Sequence, residues 1–134
     1  MSKYVGIDYD GVIVPFTALL NDFDQPPFPG VVEAVNNLRE RGFKIVIHTS
    51  RLSPRWWADD YQYFGAPDPE TFGQAQIAYV REYLKRWGIE YDILTAEKIP
   101  CLVYFDDRAI QITKHYGLLE AVLEWQPIPW RSND

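Results

Sequence analysis

Two aspartates, Asp8 and Asp10, stand two apart in Asp8-Tyr9-Asp10-Gly11, directly after the short apolar run of residues 4–7. Gly11 permits a sharp bend at that point, so both carboxylates can face one site. An acidic pair, Asp106-Asp107, follows a second apolar run at residues 102–105. Magnesium takes hard oxygen ligands in an octahedron and keeps several waters, so two or three carboxylates suffice; Asp8, Asp10, Asp106 and Asp107 are the set to supply them. The spacing Asp8-x-Asp10-Gly11 also opens a calcium loop. That loop needs a further oxygen ligand where Val12 stands, and no glutamate closes twelve residues, which excludes it.

Such groups work together only if the fold brings distant segments to one edge. Residues 4–7 and 43–47 read as buried strands, the second ending in His48-Thr49-Ser50-Arg51. Between them, Pro26, Pro27 and Pro29 mark residues 11–30 as a loop or short hairpin. Pro29-Gly30 then opens a helix with Val31, Val35 and Leu38 at helical spacing, closed by Gly42. Residues 71–87 place Ile77, Val80, Leu84 and Trp87 on one helical face, and Gly88 ends that helix. Residues 91–94 give a weak strand and 102–105 a strong one. Residues 109–116 read as a helix, 121–123 as a last short strand, and 126–134 as irregular. Strands alternate with helices, which predicts a single α/β domain over 1–134: a Rossmann-like three-layer α/β/α sandwich with a mostly parallel sheet covered on both faces. Sheets of this kind bind ligands at the carboxyl ends of their strands. Three apolar runs end there in chemically capable residues, at Asp8, Thr49 and Asp106-Asp107.

Composition narrows the class. A hydrophobic fraction of 47% excludes a disordered chain. No apolar run reaches the roughly 20 residues of a membrane span. The opening Met1-Ser2-Lys3-Tyr4 carries no signal-peptide pattern, and the single Cys101 allows no internal disulfide, so a cytoplasmic location is expected. A net charge of −6 opposes binding along a nucleic-acid backbone.

With these motifs in order, the chain resembles the haloacid dehalogenase-like phosphohydrolase superfamily over residues 4–124. The apolar strand and DxDG[TV] motif is matched by Val5-Gly6-Ile7-Asp8-Tyr9-Asp10-Gly11-Val12. The strand ending in Thr or Ser is matched by Ile45-Val46-Ile47-His48-Thr49-Ser50-Arg51. The motif lysine is matched by Lys98, and the late acidic pair by Tyr104-Phe105-Asp106-Asp107-Arg108. The resemblance implies a magnesium-dependent phosphatase in which Asp8 attacks phosphorus and becomes an aspartyl-phosphate. Asp10 is then the acid and base, and its backbone carbonyl is a metal ligand. Thr49, or Ser50 if the strand runs one residue further, would hydrogen-bond a phosphoryl oxygen, and Lys98 would neutralise charge. Gly11, Thr49, Ser50, Arg51 and Lys98 form the implied substrate-binding set. Asp106 and Asp107 hold the Mg2+, with Asp107 favoured as the direct ligand. His48 reads as a structural hydrogen-bonder, and Arg108 as a brace for the acidic pair.

The gaps after the first two motifs are too short for a large cap. Capless relatives act on large substrates, or assemble as homo-oligomers whose neighbouring subunit covers the site. Trp56, Trp57, Tyr61, Tyr63 and Phe64 read first as core packing or a subunit interface and second as a stacking surface at the site entrance. The segment Asp106-Asp107-Arg108 also resembles that of the phosphatase domain of phage-type polynucleotide kinase-phosphatases. This implies a phosphorylated small molecule, a nucleotide or a nucleic-acid end as substrate, with the acidic charge opposing long polymers. Two other classes share parts of this pattern. Receiver domains place the acidic pair early and the phosphorylated Asp on a middle strand, the reverse of the order here. A non-catalytic phosphate- or magnesium-binding module would be expected to have lost Asp8 or Asp10, and both stand.

Overall fold

The computed structural model describes residues 3–15 and 23–109. The helix expected at 109–116, apart from its first residue, the strand at 121–123 and the tail at 126–134 lie outside the described residues, as does the middle of the 11–30 connection. Four strands, β1 (Tyr4–Asp8), β2 (Lys44–His48), β3 (Ile93–Thr95) and β4 (Val103–Phe105), form one sheet in the order β3-β2-β1-β4. Every pairing is parallel, with Asp8 opposite His48 and Ile7 opposite both Ile47 and Phe105. The helices are α1 (Val31–Glu40), α2 (Pro54–Asp60) and α3 (Pro69–Arg86), with a 3₁₀ turn at Ser50–Leu52. The described chain is therefore an α/β protein with an all-parallel sheet. Among the described residues, no helix is long and apolar enough to cross a membrane.

The order of strands matters more than their number. From β1 the chain steps outward through β2 to β3, then returns across the sheet to place β4 on the other side of β1. The strand order thus reverses between β1 and β4, and sheets of this kind open a crevice at the carboxyl ends of such neighbours. Asp8 closes β1, and Asp106-Asp107 follow β4.

One face of the sheet carries the core. Val5 and Ile7 of β1 and Ile45 and Ile47 of β2 are all buried, at the alternating spacing that points side chains to one side. Val35 of α1 and Val80, Tyr83 and Leu84 of α3 pack into the same cluster, joined by Tyr9 and Ile13 from the turn after β1. Tyr9 meets Tyr83 edge-on, with ring centroids 5.7 Å apart. Both long helices end in the same way. In α1 the Phe43 and Gly42 amides donate to the Leu38 and Arg39 carbonyls; in α3 those of Ile89 and Gly88 donate to Leu84 and Lys85. Asp68 caps α3, its carboxylate accepting from the Thr71 amide at 2.7 Å.

Residues 52–69, the stretch least legible in the sequence, form α2 and a turn that pack on α3. Trp57 is buried against Gly73, where a Cβ would stand 2.3 Å from the indole. Trp56 and Phe64 pack on the Phe72 ring at centroid distances of 5.0 and 5.3 Å. The aromatic cluster is thus mainly packing, although Tyr63 remains 84% exposed.

Candidate active site

The turn after β1 is built to aim two aspartates. Tyr9 turns inward to the core, so its carbonyl receives the Ile13 amide at 3.0 Å while Gly11 donates to Val14 at 2.8 Å. Gly11 adopts φ +85°, and a Cβ there would stand 2.1 Å from Asp107 Oδ2. A side chain at this position would occupy the space that the Asp107 carboxylate takes. On the other side of the crevice, Asp106 accepts the Arg108 amide at 2.7 Å, which bends the chain immediately after β4.

Asp8, Asp106 and Asp107 each offer an oxygen, and these oxygens lie within 4.8 Å of one another. Burial, followed by the charges of Asp106, Asp107 and Asp10, pushes the Asp8 carboxyl up to about 7. Clustered like charge at a strand terminus is unfavourable without a cation, and the donor set is the hard-oxygen type that magnesium takes. The residues therefore fit the metal that the motifs imply. The cavity they face has a volume of about 240 Å³ and is lined by Asp8, Asp10, His48, Ser50, Asp106 and Arg108. It is smaller than the roughly 300 Å³ lower bound of drug-sized pockets, which suits a phosphoryl-sized group with the rest of a ligand outside.

Asp10 lines the same cavity but is engaged from behind. Arg51 Nε and Nη2 donate to its two carboxylate oxygens at 2.9 Å each. The arginine is only 3% exposed, and its guanidinium is turned to Asp10 rather than to the open cavity where the motif would have it bind substrate. Burial alone would lower the guanidinium pKa; the hydrogen bonds to Asp10 and its charge outweigh that and raise it above the ordinary arginine value. Its Nη1 donates to Gln76 Oε1 at 3.4 Å, and its charge lies over the Tyr9 and Tyr79 rings at 5.6 and 5.2 Å. The Trp57 indole N–H donates to the Arg51 carbonyl at 2.7 Å. Gln76 and Tyr79 were not read as site residues from the sequence. The available signal was an amide set into an otherwise apolar stripe of α3, between Phe72 and Val80.

Thr49 also differs from expectation. It is 1% exposed, and its Oγ1 accepts the Arg51 amide at 3.1 Å, capping the 3₁₀ turn. Parallel pairing puts Asp8 and His48 on the same side of the sheet, and Thr49 on the opposite side by alternation. The hydroxyl residue lining the cavity is Ser50.

His48 lies 3.8 Å from Asp8 through Nδ1, and its Nε2 is 3.0 Å from the Ala96 carbonyl. A carbonyl only accepts, so Nε2 donates to it and Nδ1 faces Asp8. This anchored geometry agrees with a structural role. A second cavity of about 240 Å³ adjoins the first, sharing His48 and Asp106, and is lined further by Lys98, Tyr104 and Ala109. Lys98 sits there, its ammonium 5.5 Å from the Tyr104 ring centroid. The structure thus brings Asp8, Asp10, Ser50, Asp106, Asp107 and Gly11 together and places Lys98 next door. A cavity beneath α1, lined by Ile7, Val12, Val31, Ala34, Val35, Leu38 and Phe105, is apolar throughout and offers no reacting group. No family model, no curated protein and no solved structure matches the chain.

Proposed function

We propose that this chain is a magnesium-dependent phosphatase that hydrolyses phosphate monoesters through an aspartyl-phosphate on Asp8. In this reading the chain has the capless three-layer core of the haloacid dehalogenase-like phosphohydrolases. The convergence of Asp8, Asp106 and Asp107 at the carboxyl ends of the neighbouring strands β1 and β4, with Asp10 on the same cavity, is the observation that carries it.

Asp8, Asp106 and Asp107, with the Asp10 carbonyl, would hold the Mg2+, which supplies positive charge against the phosphoryl oxygens. Asp8 Oδ attacks phosphorus as the ester P–O bond breaks, and Asp10 gives its proton to the leaving oxygen. Asp10 then takes a proton from water, whose oxygen attacks phosphorus, and the bond to Asp8 breaks to release phosphate. A carboxylate has about four lone-pair sites, so two bonds from Arg51 leave Asp10 capacity on its open side. Ser50 donates to a phosphoryl oxygen, and Arg108 adds a cation to the same cavity. His48, Lys98 and Tyr104 line the adjoining cavity, into which the leaving group would extend. Acid–base help of this kind contributes roughly 10²–10⁴ in rate, and most of the remainder comes from positioning and charge.

The test is turnover of an aryl phosphate with and without magnesium in the wild type and in Asp8→Asn. Magnesium-dependent release that vanishes in the variant is expected. A folded, magnesium-binding wild type that turns over neither aryl phosphates nor phosphorylated nucleotides would replace the reading with a binding module.

A further inference from the structure

We infer that Arg51 is a positioning residue for the acid step, orienting the Asp10 carboxylate toward the leaving-group oxygen while touching no part of the substrate. The inference rests on the phosphatase reading and adds a part to it. Two parallel N–H···O bonds of 2.9 Å fix both the direction and the rotation of the carboxylate plane. A single point donor would leave it free to turn.

The guanidinium is itself held on every side. Gln76 takes the third nitrogen, the Tyr9 and Tyr79 rings lie against the charge, and the main chain is pinned by Thr49 Oγ1 and the Trp57 indole. Three separate elements, the turn after β1, α2 and α3, thus converge to immobilise one arginine whose only charged partner among the described residues is Asp10. With its side chain 4% exposed, it has no route to a phosphoryl group in the cavity. Lysine cannot reproduce this, because an ammonium lacks the planar fork.

Leaving-group dependence separates this role from a structural one. A good leaving group such as p-nitrophenolate departs without a proton, whereas an alkoxide needs one as the bond breaks. The value of kcat/KM reports the transfer to Asp8, the step in which Asp10 acts as acid. Wild type, Arg51→Lys and Arg51→Ala are compared on p-nitrophenyl phosphate and on a simple alkyl phosphate, with thermal unfolding recorded for each. Misplacing a reacting group by about 1 Å costs on the order of 100-fold. A loss of about that size is expected on the alkyl ester for both variants, with a loss at least about tenfold smaller on the aryl ester. Added guanidinium ion should restore part of the alkyl rate in Arg51→Ala. Should Arg51→Ala fail to fold, Arg51→Lys carries the comparison alone. Equal losses on both esters, or a rise in KM at unchanged kcat, would overturn the inference and leave the phosphatase reading standing. A wild type without Asp8-dependent turnover would overturn both.

Discussion

A Cβ on Gly11 would stand 2.1 Å from Oδ2 of Asp107, so the absence of a side chain in the first motif makes room for a carboxylate of the last. Gly11 is also at φ +85°, where an L side chain costs roughly 1–2 kcal/mol. The atom it would strike belongs to the end of an Asp side chain, which can swing away rather than unfold the chain. Gly11→Ala is therefore expected to stay folded with a modest drop in melting temperature. Its half-saturating magnesium concentration should rise by roughly tenfold or more, because a carboxylate proposed to hold the metal has been moved. Titrating phosphatase activity with magnesium, alongside a thermal melt, checks both parts. An unchanged magnesium dependence would mean that the contact between the two motifs is incidental.

The charge balance of the site makes a prediction about pH. Without metal, the Asp8 carboxyl titrates near 7, against an ordinary value of 3.8. Between those values the folded state holds a proton that the unfolded state has released. Stability from this group is complete below about 4 and is lost as pH rises through about 7. Melting curves in chelator should therefore fall more steeply over that window for wild type than for Asp8→Asn, which has no proton to lose. Adding magnesium at neutral pH should reverse the loss, by about 2.7 kcal/mol at a concentration 100 times its dissociation constant. A wild type whose pH profile in chelator superimposes on that of Asp8→Asn would contradict the crowding of carboxylates around Asp8.

Asp8 and the Asp106-Asp107 pair were legible because each follows a short apolar run, and such runs become the strands β1 and β4 with few alternatives. The stops at Gly42 and Gly88 were legible for a local reason, since both have φ above +60° and close the same two-bond motif. Arg51 was legible as a residue of the site, but its bond to Asp10 was not. Its partner Asp10 is 41 residues away and its support Gln76 lies on α3, so nothing local distinguishes an arginine facing inward from one facing a ligand. Thr49 against Ser50 turned on one residue of strand length, and alternation converts such a step into the opposite face of the sheet. Residues 52–69 resisted reading because their aromatics follow no single period. Their order comes from packing on α3, where Gly73 admits Trp57.

The hydroxyl pair behaves oppositely under substitution. Thr49→Ala removes the acceptor for the Arg51 amide and should cost about 1 kcal/mol of stability, the usual value for a lost cap. Its kcat should fall only to the extent that Arg51 loosens. Ser50→Ala removes no capping bond in the structure and should leave stability within about 0.5 kcal/mol of wild type. It should lower kcat/KM by roughly tenfold through the lost bond to the phosphoryl group. Parallel melts and steady-state kinetics on the two variants decide the matter. If Thr49→Ala loses the greater share of activity at unchanged stability, the motif hydroxyl is Thr49 after all, and the 3₁₀ turn must open in the presence of substrate.

Lys98 is the residue whose motif role and position pull apart. The resemblance assigns it to the nucleophile and the phosphoryl group, yet its ammonium lies over Tyr104 in the adjoining cavity. An exposed cation–π contact contributes about 0.5–1 kcal/mol, so Lys98→Ala should melt nearly as the wild type does. A charge in the second cavity would act on a leaving group that extends into it. On a phosphate ester whose leaving group carries an anionic substituent, Lys98→Ala should raise KM roughly tenfold, equivalent to about 1.4 kcal/mol, at nearly constant kcat. On p-nitrophenyl phosphate, which offers the lysine no charge beyond the phosphoryl group, the change should be below about threefold. A large fall in kcat on both esters would instead mean that the side chain swings past His48 and Asp106 to meet the transferring phosphoryl group. In that case its seat over Tyr104 would be the resting position of a mobile catalytic cation.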